Sequence, residues 1–82
     1  MFRAEFSHYA EKQFSKLPTA IQERALNVIE RIKFNPHHFI KRKEGASCFI
    51  MRIGEYRAVL DIDDSKKIIY IIEIGHRKNI YD

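Results

Sequence analysis

Phe2, Ala4 and Phe6 alternate with Arg3 and Glu5, the period-two pattern of a short amphipathic strand. Ser7 is then placed to cap a helix that carries Ala10, Phe14 and Leu17 on one stripe, and Pro18 closes it. Thr19 and Gln22 have capping-box spacing ahead of a longer apolar stripe: Ile21, Ala25, Val28, Ile29 and Ile32. Asn35-Pro36 stops this second helix, because a residue before proline is disfavoured in the α region. The two helices should form a short antiparallel hairpin. From His37 to Ser47 the chain is basic and aperiodic, which predicts a loop over a sheet. Three strands follow at about residues 49–53, 56–62 and 67–76, separated by Gly54-Glu55 and by Asp63-Asp64-Ser65-Lys66, both rich in turn formers. Ile68-Ile69-Tyr70-Ile71-Ile72 is apolar on both faces and so belongs inside the sheet.

This order predicts an α+β fold in one domain spanning residues 1–82: an N-terminal strand and a helix hairpin on one face of a small, mostly antiparallel four-stranded sheet. Gly54 as the first central residue of a two-residue turn fits type II′, which needs φ > 0 there. In that register Ile53 faces Tyr56 and Arg52 faces Arg57. Met51, Ile53, Ala58 and Leu60 share the opposite face and make the helix-packed core, leaving the arginines on an open sheet face. Like charges directly opposite one another are destabilising. Either both side chains splay into solvent, or an anion such as phosphate sits between them.

At 82 residues the chain is near the lower end of what one hydrophobic core supports, and 45% apolar content argues against disorder. The longest apolar run, Ile68 to Ile72, is far too short to span a membrane. No basic-then-apolar leader opens the sequence, and Cys48 is the single cysteine, which excludes an intrachain disulfide and a cysteine-cluster metal site. These features lead us to expect a cytoplasmic protein with no membrane association. The net charge of +4 is unevenly placed. Residues 31–57 hold Arg31, Lys33, Lys41, Arg42, Lys43, Arg52 and Arg57 against Glu44 and Glu55, an excess of five positive charges, whereas the flanking segments are close to neutral. Such segregation is the footprint of a phosphate-backbone binder.

The last strand runs back toward the Gly54 turn, so Gly75, His76 and Arg77 should end near Arg52 and Arg57, with Tyr81 four residues beyond Arg77. Planar guanidiniums suit bidentate phosphate binding. A phosphate held by two or three arginines beside a proton-transfer group is the minimum apparatus for metal-free RNA cleavage by the RNA's own 2′-hydroxyl. Competing sites are weaker. Asp63-Asp64 reads as turn chemistry, His37-His38 lacks a partner at zinc-site spacing, Ser47-Cys48 has no nucleophile context, and His8 reads as a first-turn surface residue. Glu73 is a candidate ion-pair partner for one of the arginines. No metal or other cofactor is expected.

Two motifs resemble those of the RelE/ParE superfamily of toxins from type II toxin–antitoxin systems. Arg52-Ile53-Gly54-Glu55-Tyr56-Arg57-Ala58-Val59 is similar to its R-x-G-x-Y-R-x-[VI] hairpin, and Ile74-Gly75-His76-Arg77-Lys78-Asn79-Ile80-Tyr81 to its closing x-G-H-R-x-x-[IV]-Y segment. Residues 25–34 with Asn35-Pro36 resemble the second helix and its proline stop. The resemblance implies a RelE-like mRNA interferase: a metal-independent endoribonuclease that cleaves mRNA on the ribosome. By position it implies that Arg57 and Arg77 contact the scissile phosphate, that Arg52 takes a basic catalytic position, and that Tyr81 is the general base, with His76 as runner-up. Lys41, Arg42, Lys43 and Lys78 are the further RNA-binding candidates. The implied partner is a cognate acidic, RelB-like antitoxin in a toxin–antitoxin hetero-oligomer. One departure stands out: Ile50 occupies a place where RelE-like toxins often carry a basic residue. The alternative is a ParE-like, non-nucleolytic inhibitor of gyrase type, or a catalytically weak paralogue acting as a binding module.

Overall fold

A computed structural model describes residues 1–36, 41–42 and 48–80, with the backbone alone at 41–42. The elements run β1 (Arg3–Phe6), α1 (His8–Ser15), α2 (Thr19–Ile32), β2 (Lys41–Arg42), β3 (Phe49–Ile53), β4 (Tyr56–Asp63) and β5 (Ile68–His76). The strands form one sheet in the order β1-β5-β4-β3-β2. β1 is parallel to β5, and the other pairs are antiparallel. The expected α+β architecture is therefore the one found. Its four principal strands gain a two-residue fifth, β2, inside the segment that lacks periodicity. That pairing covers the β3 edge opposite Phe49 and Ile50.

Ser7 caps α1 as its sequence position predicts, its Oγ accepting the Ala10 N–H at 2.9 Å. The start of α2 differs from the capping-box reading. Pro18 is the N-cap, with no side-chain cap, and its carbonyl accepts from the Ile21 and Gln22 N–H groups. Gln22 Nε2 instead donates to the Phe14 carbonyl at 2.9 Å. The Phe14 carbonyl in the last turn of α1, which also accepts the Leu17 N–H, thus takes the amide that capping-box spacing assigns to Thr19. α2 ends at Ile32, three residues before Asn35.

The core lies between the helices and one sheet face: Ala10, Ala25, Ile29, Ile32, Met51, Ile53, Ala58, Leu60, Ile69, Ile71 and Ile74. Phe6 and Phe14 close its β1 end edge-to-face at 5.3 Å. β5 carries one extra residue, Ile72, because Val59 pairs with Glu73 while Leu60 pairs with Ile71. β1 stops opposite Ile71, and no described strand continues along that side of β5. α1 supplies the missing partners: Ser7 Oγ donates to the Ile72 carbonyl at 2.8 Å, and Gln13 Oε1 accepts the Ile74 N–H at 2.9 Å. These bonds anchor the last stretch of β5, which leads to the candidate site.

Candidate functional site

The two-residue turn sets the geometry. Gly54 has φ +61°, and Glu55 is not in the left-handed region, so positive φ falls at the first central position alone, as a type II′ turn requires. Ile53 pairs with Tyr56 and Arg52 with Arg57. β4 continues the row on its other side, with Arg57 opposite Gly75 and Tyr56 opposite His76. Arg52, Arg57 and Gly75 therefore line up across three strands on the face away from the helices.

Arg77 joins this end of the sheet through the turn. Its N–H donates to the Glu55 carbonyl at 2.8 Å, and its Nε lies 2.7 Å from the Glu55 carboxylate. Among the described residues it is thus Glu55, and not Glu73, that pairs with an arginine. The three arginines differ in setting. Arg52 and Arg77 are exposed, whereas Arg57 is half-buried with its Nε out of solvent.

The sheet face that carries the arginines is not bare. Ile50, Ile68 and Ile80 are 6%, 7% and 3% exposed, yet none of them belongs to the helix-side core. A Cβ built on Gly75 would stand 3.4 Å from Ile80 Cδ1, so Ile80 lies directly over Gly75, beside Arg57. Ile80 is brought there by a turn in which the Asn79 and Ile80 N–H groups both donate to the His76 carbonyl. Nothing in the hydrophobic pattern of β5 forecasts this contact. Gly75, set between Ile74 and His76, is its one sequence signal.

His76 points away from the arginine row, as its strand parity predicts. Its ring meets Tyr56 edge-to-face at 5.2 Å, and its Nδ1 accepts the Lys78 N–H at 3.2 Å. Lys78 itself is exposed at the same end of the sheet. Tyr81 and Lys43 lie outside the described residues, as do the side chains of Lys41 and Arg42, whose backbone forms β2.

The remaining candidates behave as turn and surface chemistry. Asp63 Oδ1 accepts from the Lys66 N–H at 2.9 Å and from Ser65 Oγ at 2.7 Å, and these bonds hold its carboxyl below the usual carboxylate range. His8 is exposed and Cys48 half-buried. Among the described residues no group of three His, Cys, Asp or Glu is placed to hold a metal ion, and no helix is long and apolar enough to cross a membrane.

An open cleft of about 420 Å³ lies between α2 and β3, lined by Arg24, Asn27, Val28, Arg31, Ile32, Arg52 and Ile53. The spacing of Arg24, Asn27 and Arg31 at i, i+3 and i+7 was the available signal for a polar stripe on α2.

The chain is similar to a chain of the toxin–antitoxin complex RelBE2 from Mycobacterium tuberculosis, at 28% identity and TM-score 0.82, covering 93% of this chain and 98% of that one. It is similar to a chain of the RelB–RelE antitoxin–toxin complex from Methanococcus jannaschii at 25% identity and TM-score 0.74, covering 94% of each. The intact E. coli RelBE complex matches in fold, with TM-score 0.80 at 20% identity over 93% of this chain and 96% of that one. Among curated proteins none matches significantly in sequence. The family model for the ParE toxin of type II toxin–antitoxin systems, parDE, matches residues 4–81, and this chain therefore belongs to that family, within the RelE/ParE superfamily.

Proposed function

We propose that this toxin is a ribosome-dependent mRNA endonuclease. The observation that carries the reading is the direct pairing of Arg52 with Arg57 at a turn to which Arg77 is also bonded. Two arginines placed opposite one another by backbone register suit a group with negative charge on several oxygens. In the proposed reaction Arg57 and Arg77 contact the scissile phosphate and Arg52 adds charge at its edge. Tyr81 takes the proton from the RNA 2′-hydroxyl, and the 2′-oxygen bonds to phosphorus as the bond to the 5′-oxygen breaks. That oxygen leaves with a proton as a 5′-hydroxyl, and the other fragment ends in a 2′,3′-cyclic phosphate. Lys41, Arg42, Lys43 and Lys78 are assigned to the RNA backbone. The proposed setting is the cytoplasm.

An acidic antitoxin is the proposed neutralising partner. The similar solved chains come from RelB–RelE complexes, and the basic segment 31–57 offers a surface for rapid, salt-sensitive association. Among the described residues β1 ends the sheet on one side, and its edge is the one assigned to such a partner.

The test is cleavage of ribosome-bound mRNA by purified toxin, with end analysis of the products. A 5′-hydroxyl and a cyclic or 3′-phosphate are expected, and 5′-phosphate products would refute the mechanism. One observation favours a second reading, a ParE-like inhibitor that cleaves nothing. The position where RelE-like toxins often place a cation is Ile50, which is buried and apolar. Under that reading mRNA on ribosomes stays intact while gyrase supercoiling is inhibited.

A further inference from the structure

The cleft between α2 and β3 has the chemistry of a second phosphate-binding surface. Arg24, Asn27 and Arg31 occupy one stripe of α2, about 10 Å long from first to last at 1.5 Å per residue. Glu23 and Glu30 lie roughly a third of a turn away around the helix, and Glu30 is occupied by Lys33 at 2.8 Å. Among the described residues no carboxylate pairs with Arg24 or Arg31, and none lines the cleft. The apolar members of the lining are Val28, Ile32 and Ile53. Guanidiniums beside such low-polarity surface act on a bound anion more strongly than they would in open water.

The cleft is continuous with the arginine row. Arg52 lines it and is also the cross-strand partner of Arg57. From α2, Arg24 reaches the hairpin itself: a Cβ on Gly54 would fall 2.9 Å from its Nη1. A strand lying across Arg57 and Arg52 meets Arg24 and Arg31 next, because Arg52 and the two helix arginines line the same cleft.

We infer that this cleft binds the phosphate backbone of single-stranded RNA flanking the scissile position, with Arg24 and Arg31 each taking a phosphate and Asn27 a sugar or phosphate oxygen. This rests on the nuclease reading for its RNA, and on the cleft alone for its residues. The test uses a short single-stranded RNA with a 2′-deoxy substitution at the scissile nucleotide, so that it binds without being cut. Anisotropy titrations over a range of salt compare wild type with R24Q/R31Q. Each lost phosphate contact lowers the salt slope by about 0.7 for a single strand, so the double variant should lose about 1.4. Its affinity should fall about tenfold or more, the usual scale for hydrogen bonds to charged groups. K12Q/K16Q on α1 should match wild type, and thermal melts verify folding. If R24Q/R31Q fails to fold, each single variant carries the same test with half the slope change.

Wild-type slope and affinity in the folded double variant would overturn the inference. So would a loss seen only in binding an acidic antitoxin peptide, and so would a wild type that does not bind the RNA. The nuclease reading is scored separately on ribosome-bound mRNA. Binding that depends on Arg24 and Arg31, without any cleavage by wild type, would retire the nuclease and keep the RNA site. Cleavage and binding that ignore both arginines would do the reverse.

Discussion

Arg77 is tied to Glu55 at both ends: its N–H meets the Glu55 carbonyl at 2.8 Å and its Nε the Glu55 carboxylate at 2.7 Å. The backbone bond fastens the segment after β5 to the hairpin turn, and the ion pair then fixes one edge of the guanidinium. Both side chains are more than half exposed, so the ion pair contributes little to stability, within about 1 kcal/mol. Its proposed value lies in orientation. Glu55→Ala is expected to leave the melting temperature nearly unchanged and to slow single-turnover cleavage about tenfold, equivalent to about 1.4 kcal/mol of lost positioning. Its affinity for RNA should not fall, because a negative charge has been removed. Unchanged cleavage in Glu55→Ala would show that Arg77 needs no such tether.

Arg57 and Arg77 should separate by stability while agreeing in activity. Arg77→Ala removes an exposed side chain and should cost under about 0.5 kcal/mol, whereas Arg57→Ala removes a half-buried one and should cost about 1 kcal/mol. Each should lose on the order of 100- to 1,000-fold in cleavage, as when one preorganised charge stabiliser is deleted. Denaturant melts and cleavage of ribosome-bound mRNA measure the two quantities. Full activity in both folded variants would remove these arginines from the site.

Tyr81→Phe should reduce single-turnover cleavage strongly, and His76→Gln less. A phenol titrates near pH 10 in isolation, so it serves as a base near neutrality only where cations favour its ionised form, and the arginine row would supply them. His76 is turned toward Tyr56, with its Nδ1 already accepting the Lys78 N–H. The opposite ranking, in variants of equal thermal stability, would transfer the base to His76.

Ile80 should act as the anchor of the segment that leads to Tyr81. It is 3% exposed and sits over Gly75. Ile80→Ala should cost about 2 kcal/mol, the lower end for a buried isoleucine, or roughly 10 °C in melting temperature. Cleavage measured well below the new midpoint should fall together with Tyr81→Phe. A destabilised Ile80→Ala with full activity would uncouple the anchor from the chemistry.

Asp63 predicts an acid-range effect at the β4–β5 turn. Its carboxyl is lowered from 3.8, first by the Lys66 N–H and then by the Ser65 hydroxyl. A depressed carboxylate stabilises the fold above its unfolded value and loses that contribution as pH falls through the folded one. Asp63→Ala should therefore melt slightly below wild type at neutral pH, and the gap should close as pH drops below 3.8. A gap that stays constant through that range would mean the charged form is not what the turn uses.

Much of this molecule follows from neighbouring residues alone. Alternation from Phe2 to Phe6, the Ser7 cap and the stripe of Ala25, Ile29 and Ile32 each reflect a local period or a local hydrogen bond, and each forms where the pattern places it. The pairing of Arg52 with Arg57 belongs to the same class, because a two-residue turn leaves one register. Other features join groups that no local rule links. The amide of Gln22 goes to Phe14 instead of back to Thr19, and the Ile74 N–H just past the β5 bulge goes to Gln13, 61 residues away. β2 formed where the hydrophobic pattern was silent, since a two-residue strand has no period to read. Arg24 and Arg31 met Arg52 because α2 packs over β3, and the helical stripe by itself names no partner. Short-range hydrogen bonds and side-chain periodicity are encoded residue by residue. The contacts that complete the site depend on which faces are buried against each other, and that is settled when the whole core closes.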